Sequence, residues 1–229
     1  MGKYDDYKKN VLTYSQMLLS RGYTVGTGGN VSVLIEGEEA IAITPSGKEY
    51  IDLTPEDICV VDFNCSLIEG SFRPSIETGM HISVYKNRLD VNAVIHTHQT
   101  FASVFAILGH PVPALFDEAV INIGDVIDII PYALSGSPEL ADNVAGKLDN
   151  RCNCYIIQNH GALCLGTNIN KAFRNVELLE KCSQVYYYAL STGKEITTLP
   201  QPMVSPLFQI LQSGQDIEIA RKKDSGKSQ

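Results

Sequence analysis

The sequence lacks long apolar runs. Nowhere in its 229 residues do eighteen apolar residues stand together, which is roughly the length that marks a membrane-spanning helix. The first residues, MGKYDDYKKNVLTYSQ, contain neither an uninterrupted apolar core nor a small-residue cleavage site, so they do not match a secretory signal peptide. We therefore expect a cytoplasmic protein without a membrane partner.

The chain also has fewer positively charged residues than negatively charged ones. The chain has 18 Lys and Arg against 26 Asp and Glu, which gives a formal net charge of −8. Nucleic acid and anionic membranes both require a cationic surface, so we expect neither as a partner. An anionic substrate would have to be captured by local geometry, for which glycine-rich backbone loops are the usual device.

The cysteines lack the spacing of a zinc site. Six occur, and Cys152 and Cys154 are separated by one residue within a predicted strand, which is not a usual zinc spacing. A chain of this length can bury a sizeable core without disulfides. We therefore expect reduced thiols that pack in the core.

The sequence contains no internal repeat and no linker, and its hydrophobic share of 44% and charged share of 19% are ordinary for a globular protein. We predict one domain over residues 1–229, with a polar, mobile tail from about Ser213. Predicted helices and strands are interleaved, from a first helix at Tyr4–Arg21 to a last helix that begins at Asn170 and ends near Thr192. A glycine-turn hairpin and paired late strands favour a mixed or mainly antiparallel sheet in a three-layer α/β or α+β arrangement.

Two of the five histidines form His96-Thr97-His98 at the end of the apolar strand NAVIHTH. Side chains two residues apart in a strand point to the same side, so both imidazoles can reach one ion. His160 also follows an apolar strand, and if the two strand ends are neighbours, the three rings form the facial ligand set of a catalytic metal. For His96 and His98 taken alone, the alternative is one core histidine beside one surface histidine.

A predicted helix before that strand carries Glu77 near its start and His81 on the same face, four residues later. Glu77 by itself is explained as a first-turn acid that the helix dipole favours. His81 is either a hydrogen-bond partner of a metal ligand or a partly buried helix residue. The loops at 26–30 (GTGGN) and 44–47 (TPSG) offer amides and hydroxyls that could hold a phosphate, although either could be only a turn.

Together these residues resemble the class II aldolase and adducin family, and within it the L-fuculose-1-phosphate aldolase-like members. The motifs GTGGNVSV, TPSG, PSIE, AVIHTH, Pro131-Tyr132 and QNHG stand in the family's order and at its spacing, from the first helix to about Leu190. The resemblance implies a three-layer α/β/α fold with a mixed, mainly antiparallel sheet. It also implies a homotetramer with active sites between neighbouring subunits.

The resemblance implies roles for individual residues. His96, His98 and His160 would bind zinc, or manganese or cobalt as in some relatives, and Glu77 would be a further ligand that moves away to act as acid or base. The phosphate-binding positions fall on Asn30, Ser46, Gly47 and Ser75, with Thr27 and Gly29 shaping the pocket. The expected reaction is cleavage of a ketose 1-phosphate, such as L-fuculose 1-phosphate, into dihydroxyacetone phosphate and a short aldehyde.

Two positions depart from the aldolase pattern. Ile76 stands where the aldolases generally have a second serine, which removes one hydroxyl from the phosphate site. The aldolases' protonating tyrosine falls on Asp117, beside Glu118, and either carboxyl could donate a proton if burial raised its pKa. The alternative for this acidic pair is a solvated loop.

Other functions are known on the same scaffold. Dehydration and decarboxylation of sugar phosphates stay open, and the acidic pair at 117 and 118 is compatible with dehydration. Glu77 disfavours 4-epimerisation, because epimerases usually have an aspartate there. A non-catalytic adducin-like binding module is disfavoured because such modules lack the metal histidines.

Overall fold

The computed structural model describes residues 2–226. In this part of the chain there are nine strands: β1 (Asn30–Leu34), β2 (Ala40–Ile43), β3 (Cys59–Asp62), β4 (Leu67–Glu69), β5 (Ala93–Thr97), β6 (Val112–Pro113), β7 (Val126–Ile130), β8 (Cys154–Ile157) and β9 (Gly161–Gly166). The helices are α1 (Asp5–Ser20), α2 (Thr78–Asn87), α3 (Thr100–Leu108), α4 (Asp117–Asn122), α5 (Pro138–Ala145), α6 (Ile169–Ser191) and α7 (Gln201–Gly226).

The strands form one mixed sheet in the order β4-β3-β2-β1-β5-β9-β8-β7-β6. Every neighbouring pair is antiparallel except β7 and β8, which run parallel. The predicted mixed, mainly antiparallel sheet is therefore confirmed. The order also makes β5 a central strand, with β1 on one side and β9 on the other.

Two hydrophobic layers cover the sheet because apolar side chains alternate along its strands. Ile95 packs on one face, together with Val11 of α1 and Val176 of α6. Val94 packs on the other face, together with Val84 of α2, and α5 contributes to the same layer. The result is the expected three-layer α/β/α architecture. No helix within residues 2–226 is both long and apolar enough to cross a membrane.

The C-terminal segment differs from its prediction. Residues 213–226 belong to α7 instead of forming an irregular polar tail, while residues 227–229 lie outside the described part. Gln215 is buried, and its amide donates to the carbonyl of Arg151 at 2.9 Å and to Asn153 Oδ1 at 3.2 Å. The sequence did not predict this helical segment, because from Ser213 onward it is held largely by polar contacts, which the composition does not distinguish from solvation.

The structure also differs from the sequence-based expectation at the starts of two helices. The side chain of Asn168, not that of Asn170, caps α6 by accepting from the Lys171 amide at 3.0 Å. Asp117 and Glu118 begin a short helix, α4, instead of lying in a loop. The six cysteines are free thiols, and all but the exposed Cys65 are buried as expected.

Candidate metal centre

The end of β5 places two of the predicted ligands. His96 pairs with Asn30 of β1 and with Leu163 of β9, so its backbone is fixed on both sides. Its side chain is fully buried, whereas His98, just beyond the end of the strand, is exposed. The end of β5 therefore places the His96 ring in the interior and the His98 ring at the surface.

A turn between β8 and β9 carries His160. Asn159 adopts a left-handed backbone with φ of 52°, which asparagine tolerates better than most residues. The His160 amide donates to the Ile157 carbonyl at 3.1 Å, and the Asn159 amide donates to the Ala106 carbonyl of α3 at 3.0 Å. These backbone bonds turn the chain sharply and bring His160 to the end of β5.

Gly161 allows this close approach. A Cβ atom at this position would lie 2.4 Å from the Thr97 carbonyl oxygen, 2.7 Å from His98 Cδ2 and 3.1 Å from His96 Cε1. A side chain would therefore collide with both the neighbouring strand and two of the histidines. The glycine that follows His160 in the sequence is needed because the rings lie against its backbone.

The three histidines converge. Their ring centroids are 4.7 to 5.5 Å apart, and one nitrogen of each lies within 4.8 Å of the others. In the part of the chain that the structure describes, no other group of three histidine, cysteine or acidic residues meets the same spacing. The end of β5, with His96 and His98, therefore lies close to the end of β8, which His160 follows, as the metal-site prediction required.

The protonation of the cluster suits a metal ion. The His96 Nδ1–H donates to the Ala162 carbonyl at 2.9 Å, which leaves the Nε2 lone pair facing His98 Nε2 at 3.0 Å. Removal from water, complete for His96 and partial for the ring of His98, lowers the pKa of both below the ordinary value, so these two rings are neutral at pH 7. Neutral imidazoles with a fixed tautomer are the form that binds divalent metals.

Glu77, immediately before α2, completes the cluster. Its Oε2 lies 3.4 Å from His96 Nε2, and its Oε1 lies 3.2 Å from His160 Nε2. Asn30 Nδ2 donates to Oε2 at 2.7 Å, and the Ser135 hydroxyl donates to Oε1 at 2.8 Å. Each carboxylate oxygen thus faces one histidine and accepts from one neutral donor.

These contacts keep Glu77 ionised. Burial by itself would raise the pKa of this carboxyl, but His96, the hydrogen bond from Asn30, His160 and the hydrogen bond from Ser135 together hold the pKa below its usual range. His96 is neutral at pH 7, so the hydrogen bonds from Asn30 and Ser135 help to keep the carboxyl ionised there. A buried carboxylate beside three converging imidazoles is a donor set for a divalent cation such as zinc.

The predicted phosphate-binding segments lie side by side. Pro45 and Pro74 form an isolated bridge, the Ser46 amide donates to the Arg73 carbonyl at 2.8 Å, and the Ser75 amide donates to the Thr44 carbonyl at 3.1 Å. The structure therefore brings Ser46 and Gly47 next to Ser75, two residues from Glu77. Ile76 points outward, with 58% of its surface exposed.

The glycine-rich loop before β1 is pressed against β5. Gly29 has a φ of +73°, and a Cβ there would lie 2.6 Å from the His96 carbonyl oxygen. Thr27 is exposed and Asn30 is buried. The Asn30 side chain is engaged by Glu77 and by His81, so its main observed contacts are with the metal-centre residues.

The acidic pair at the start of α4 stands apart from this centre. Both Asp117 and Glu118 are exposed. Glu118 forms ion pairs with Arg174 at 3.1 Å and Lys181 at 3.5 Å, and the hydrogen bond from Arg174 with the charge of Lys181 lowers its pKa. Among residues 2–226, no recorded hydrogen bond or ion pair joins either carboxylate to Glu77 or the histidines.

Ser135 is the site residue that sequence reasoning missed. It lies in the loop between β7 and α5, 58 residues from the carboxylate to which it donates. That loop is held against the other side of the site, where a Cβ on Gly136 would lie 2.8 Å from the Ile76 carbonyl oxygen. A serine beside a glycine is common in loops, so no local sequence pattern identifies Ser135 as a site residue.

Comparisons with known proteins agree with this fold. The family model for the class II aldolase and adducin N-terminal domain matches residues 9–187. The chain is 36% identical over 188 residues to a 5-deoxy-D-ribulose 1-phosphate aldolase of Bacillus thuringiensis serovar kurstaki, covering 82% of this chain and 87% of that protein. It is 35% identical over 185 residues to an L-fuculose phosphate aldolase of Methanococcus maripaludis, covering 81% and 98%. A solved structure of an L-fuculose 1-phosphate aldolase matches with a TM-score of 0.85 and 34% identity, over 90% of this chain and 96% of that one.

The similar proteins are aldolases, which supports an enzyme of the lyase class. The chain belongs to the class II aldolase and adducin family. The class II aldolases are generally metal-dependent, and the cluster of His96, His98 and His160 is the candidate site for such an ion.

Proposed function

We propose that this protein is a metal-dependent aldolase that cleaves a ketose or deoxyketose 1-phosphate into dihydroxyacetone phosphate and a short aldehyde. The observation that supports the proposal is the convergence of three imidazoles on a buried, ionised carboxylate. The aldolase relatives, named for L-fuculose phosphate and 5-deoxy-D-ribulose 1-phosphate, supply the substrate class.

His96, His98, His160 and Glu77 would hold the ion, with zinc as the first candidate and manganese or cobalt as alternatives. When bound, such an ion supplies Lewis acidity to the carbonyl and adjacent hydroxyl oxygens of the substrate. No lysine lies in any of the site segments described above except Lys48 beside the 44–47 loop, and that side chain pairs with Asp57 at 2.6 Å. A Schiff-base mechanism therefore has no evident residue here.

Proton transfer completes the cleavage. The C4 hydroxyl loses a proton, the C3–C4 bond breaks with its electron pair left on the C3 fragment, and C3 then gains a proton to give dihydroxyacetone phosphate. We assign the proton transfer at C3 to Glu77, which is ionised in the resting site and is held by side-chain donors. A carboxylate fixed by neutral hydrogen bonds can accept a proton and return it without leaving the site.

Ser46, Gly47 and Ser75 are proposed to bind the phosphate, with Thr27, Gly29 and Asn30 shaping that end of the pocket. The adjacency of the 44–47 loop and Ser75 supports this assignment. The bound phosphate would then lie close to Glu77, because Ser75 precedes Glu77 by two residues. The Ser46 and Ser75 amides donate to backbone carbonyls, and Ile76 offers no hydroxyl. The hydroxyls of Ser46 and Ser75 and the Gly47 amide would therefore carry the binding.

We further propose a homotetramer whose active sites lie between subunits. Exposed apolar side chains on α3 and α6 support an interface there, among them Ile107, Leu108 and Tyr188. Within residues 2–226, Asp117 and Glu118 form no hydrogen bond or ion pair with the metal-centre residues of their own chain, and we propose that one of them acts at a neighbouring copy's site. Of the two, Asp117 is the better candidate for the C4 hydroxyl proton, because Glu118 is occupied by two cations.

The test is a substrate panel with a metal analysis. Purified protein is loaded with zinc, manganese or cobalt and incubated with L-fuculose 1-phosphate and 5-deoxyribulose 1-phosphate, and released dihydroxyacetone phosphate is measured. We expect release from at least one substrate and none after His98→Ala. Absence of release from every ketose 1-phosphate would overturn the aldolase proposal and direct the search to dehydration or decarboxylation. Absence of metal binding would overturn the metal site as well.

A further inference from the structure

Behind Glu77 lies a line of buried polar groups that begins at Asn30 and continues through residues to which the proposed reaction assigns no role. Asn30 is 4% exposed, and His81 and Ser32 are fully buried, as is most of Tyr85. Their side chains form a continuous hydrogen-bonded row that leads from Glu77 into the interior between β1 and α2. Buried polar side chains of this kind are costly unless all their partners are correct.

Chemistry fixes the direction of every bond in this row. The Glu77 carboxylate can only accept, so the Asn30 group facing it at 2.7 Å is the amide NH2. The Asn30 carbonyl oxygen then faces His81 Nε2, which must carry the proton. Burial lowers the pKa of His81 to about 4, so the ring is neutral at pH 7 and its Nδ1 is an acceptor.

The remaining bonds follow from that tautomer. The Ser32 hydroxyl donates to His81 Nδ1 at 2.6 Å. Since its single proton is then used, the 2.7 Å contact between Ser32 and Tyr85 is a donation from the tyrosine hydroxyl. All the donors in the row therefore point toward Glu77.

We propose that His81 is a positioning residue for the metal centre: its Nε2–H holds the Asn30 carbonyl, and thereby turns the Asn30 amide NH2 toward Glu77. The proposal rests on the metal site of the proposed function. Without the Nε2–H, the Asn30 carbonyl would be buried without a donor, and rotation of the amide would set that oxygen against the carboxylate. Glu77 would then lose a donor and gain a repulsive neighbour.

Two substitutions separate this role from simple packing. His81→Met keeps a long, buried side chain but has no N–H, whereas His81→Gln retains an N–H close to the position of Nε2. Ser83→Ala is the matched control, because Ser83 lies on the same helix and donates to the Ala141 carbonyl at 3.0 Å, with no bond to the row behind Glu77. Circular dichroism of the three metal-free proteins checks that each is folded.

Zinc affinity is measured by competition with a chromophoric chelator. We expect His81→Met to weaken zinc binding about 10- to 100-fold, as is typical when the partner of a metal ligand is lost, and His81→Gln to stay within about threefold of the parent. Ser83→Ala should bind zinc like the parent. At saturating zinc, His81→Met should also lower kcat while leaving KM nearly unchanged, because His81 does not reach the substrate.

The tautomer is measured separately, in the metal-free parent protein, from long-range proton–nitrogen correlation spectra, with His81→Gln used to assign the signals. We expect the Nε2–H tautomer. An Nδ1–H tautomer, parent-like zinc affinity in folded His81→Met, or equal losses in the Met and Gln variants would overturn the proposal. If the Met variant does not fold, the tautomer and the affinity of His81→Gln decide. A parent that binds no divalent ion refutes the proposed function, while the tautomer still tests the row itself.

Discussion

Replacing Gly161 with alanine adds a single methyl group at the point where β9 meets β5. The new Cβ would lie 2.4 Å from the Thr97 carbonyl oxygen and 2.7 Å from His98 Cδ2. The first of these atoms is backbone at the last residue of the paired strand β5, and the second belongs to a candidate metal ligand. Neither can rotate away as the end of a flexible side chain could.

The geometry sets the size of the effect. The closest contact is about 1 Å short of an ordinary van der Waals separation, so β5 and β9 must separate at this end or the histidine must move. Forcing one extra methyl group into a packed interior typically costs about 1–3 kcal/mol. Metal–ligand distances tolerate only about 0.2 Å, so we expect zinc affinity to fall by at least about tenfold.

The assay compares urea unfolding and zinc affinity of Gly161→Ala with those of Gly214→Ala. Gly214 lies within α7, and a Cβ there would meet nothing within 4 Å. The control should therefore gain up to about 1 kcal/mol from better helix propensity and bind zinc normally. Parent-like stability and parent-like zinc affinity in Gly161→Ala would refute the close-approach argument.

Three further predictions follow from the same geometry. Glu77→Gln should lower kcat by about 10²–10⁴-fold, because the amide cannot accept the proton, and steady-state release of dihydroxyacetone phosphate measures this against unchanged circular dichroism. Chelation should remove activity but not the fold, since backbone bonds place His96 and His160; loss of helical signal on chelation would contradict this. His81 binds fewer protons when folded than when unfolded, since burial lowers its pKa from 6.5 to about 4. The contribution of His81 to the free energy of unfolding is complete above pH 6.5 and is lost as the pH falls to 4. Between pH 7.5 and 5, the parent should therefore lose about 2 kcal/mol more unfolding free energy than His81→Gln. Equal losses for the two proteins in urea unfolding would refute this prediction.

Much of the metal centre follows from short-range rules. The two-residue period of a strand puts His96 and His98 on one side, and the end of an apolar run located His160 correctly. The family resemblance contributed Glu77, which by itself looked like a helix-start acid. The structure brings all four together.

The residues that hold Glu77 could not be found in the same way. Ser135 comes from a loop distant in sequence, and Ser32 stands between two valines in a short strand. Such contacts depend on how the layers pack, and strand or helix periodicity carries no information about them. The helical C-terminal segment was missed for a related reason, since Gln215 is anchored by hydrogen bonds instead of an apolar stripe.

The four candidate ligands differ in what fixes them, and this difference determines how substitutions act. His96 is oriented by the Ala162 carbonyl and His160 by a backbone turn, and no side-chain replacement removes a backbone carbonyl or amide bond directly. Glu77 is oriented by the side chains of Asn30 and Ser135, which a single substitution can delete. Substitutions that delete a neighbouring side chain and leave the ligands themselves intact should therefore act mainly through Glu77. They should alter proton transfer and the strength of metal binding while the histidine geometry persists.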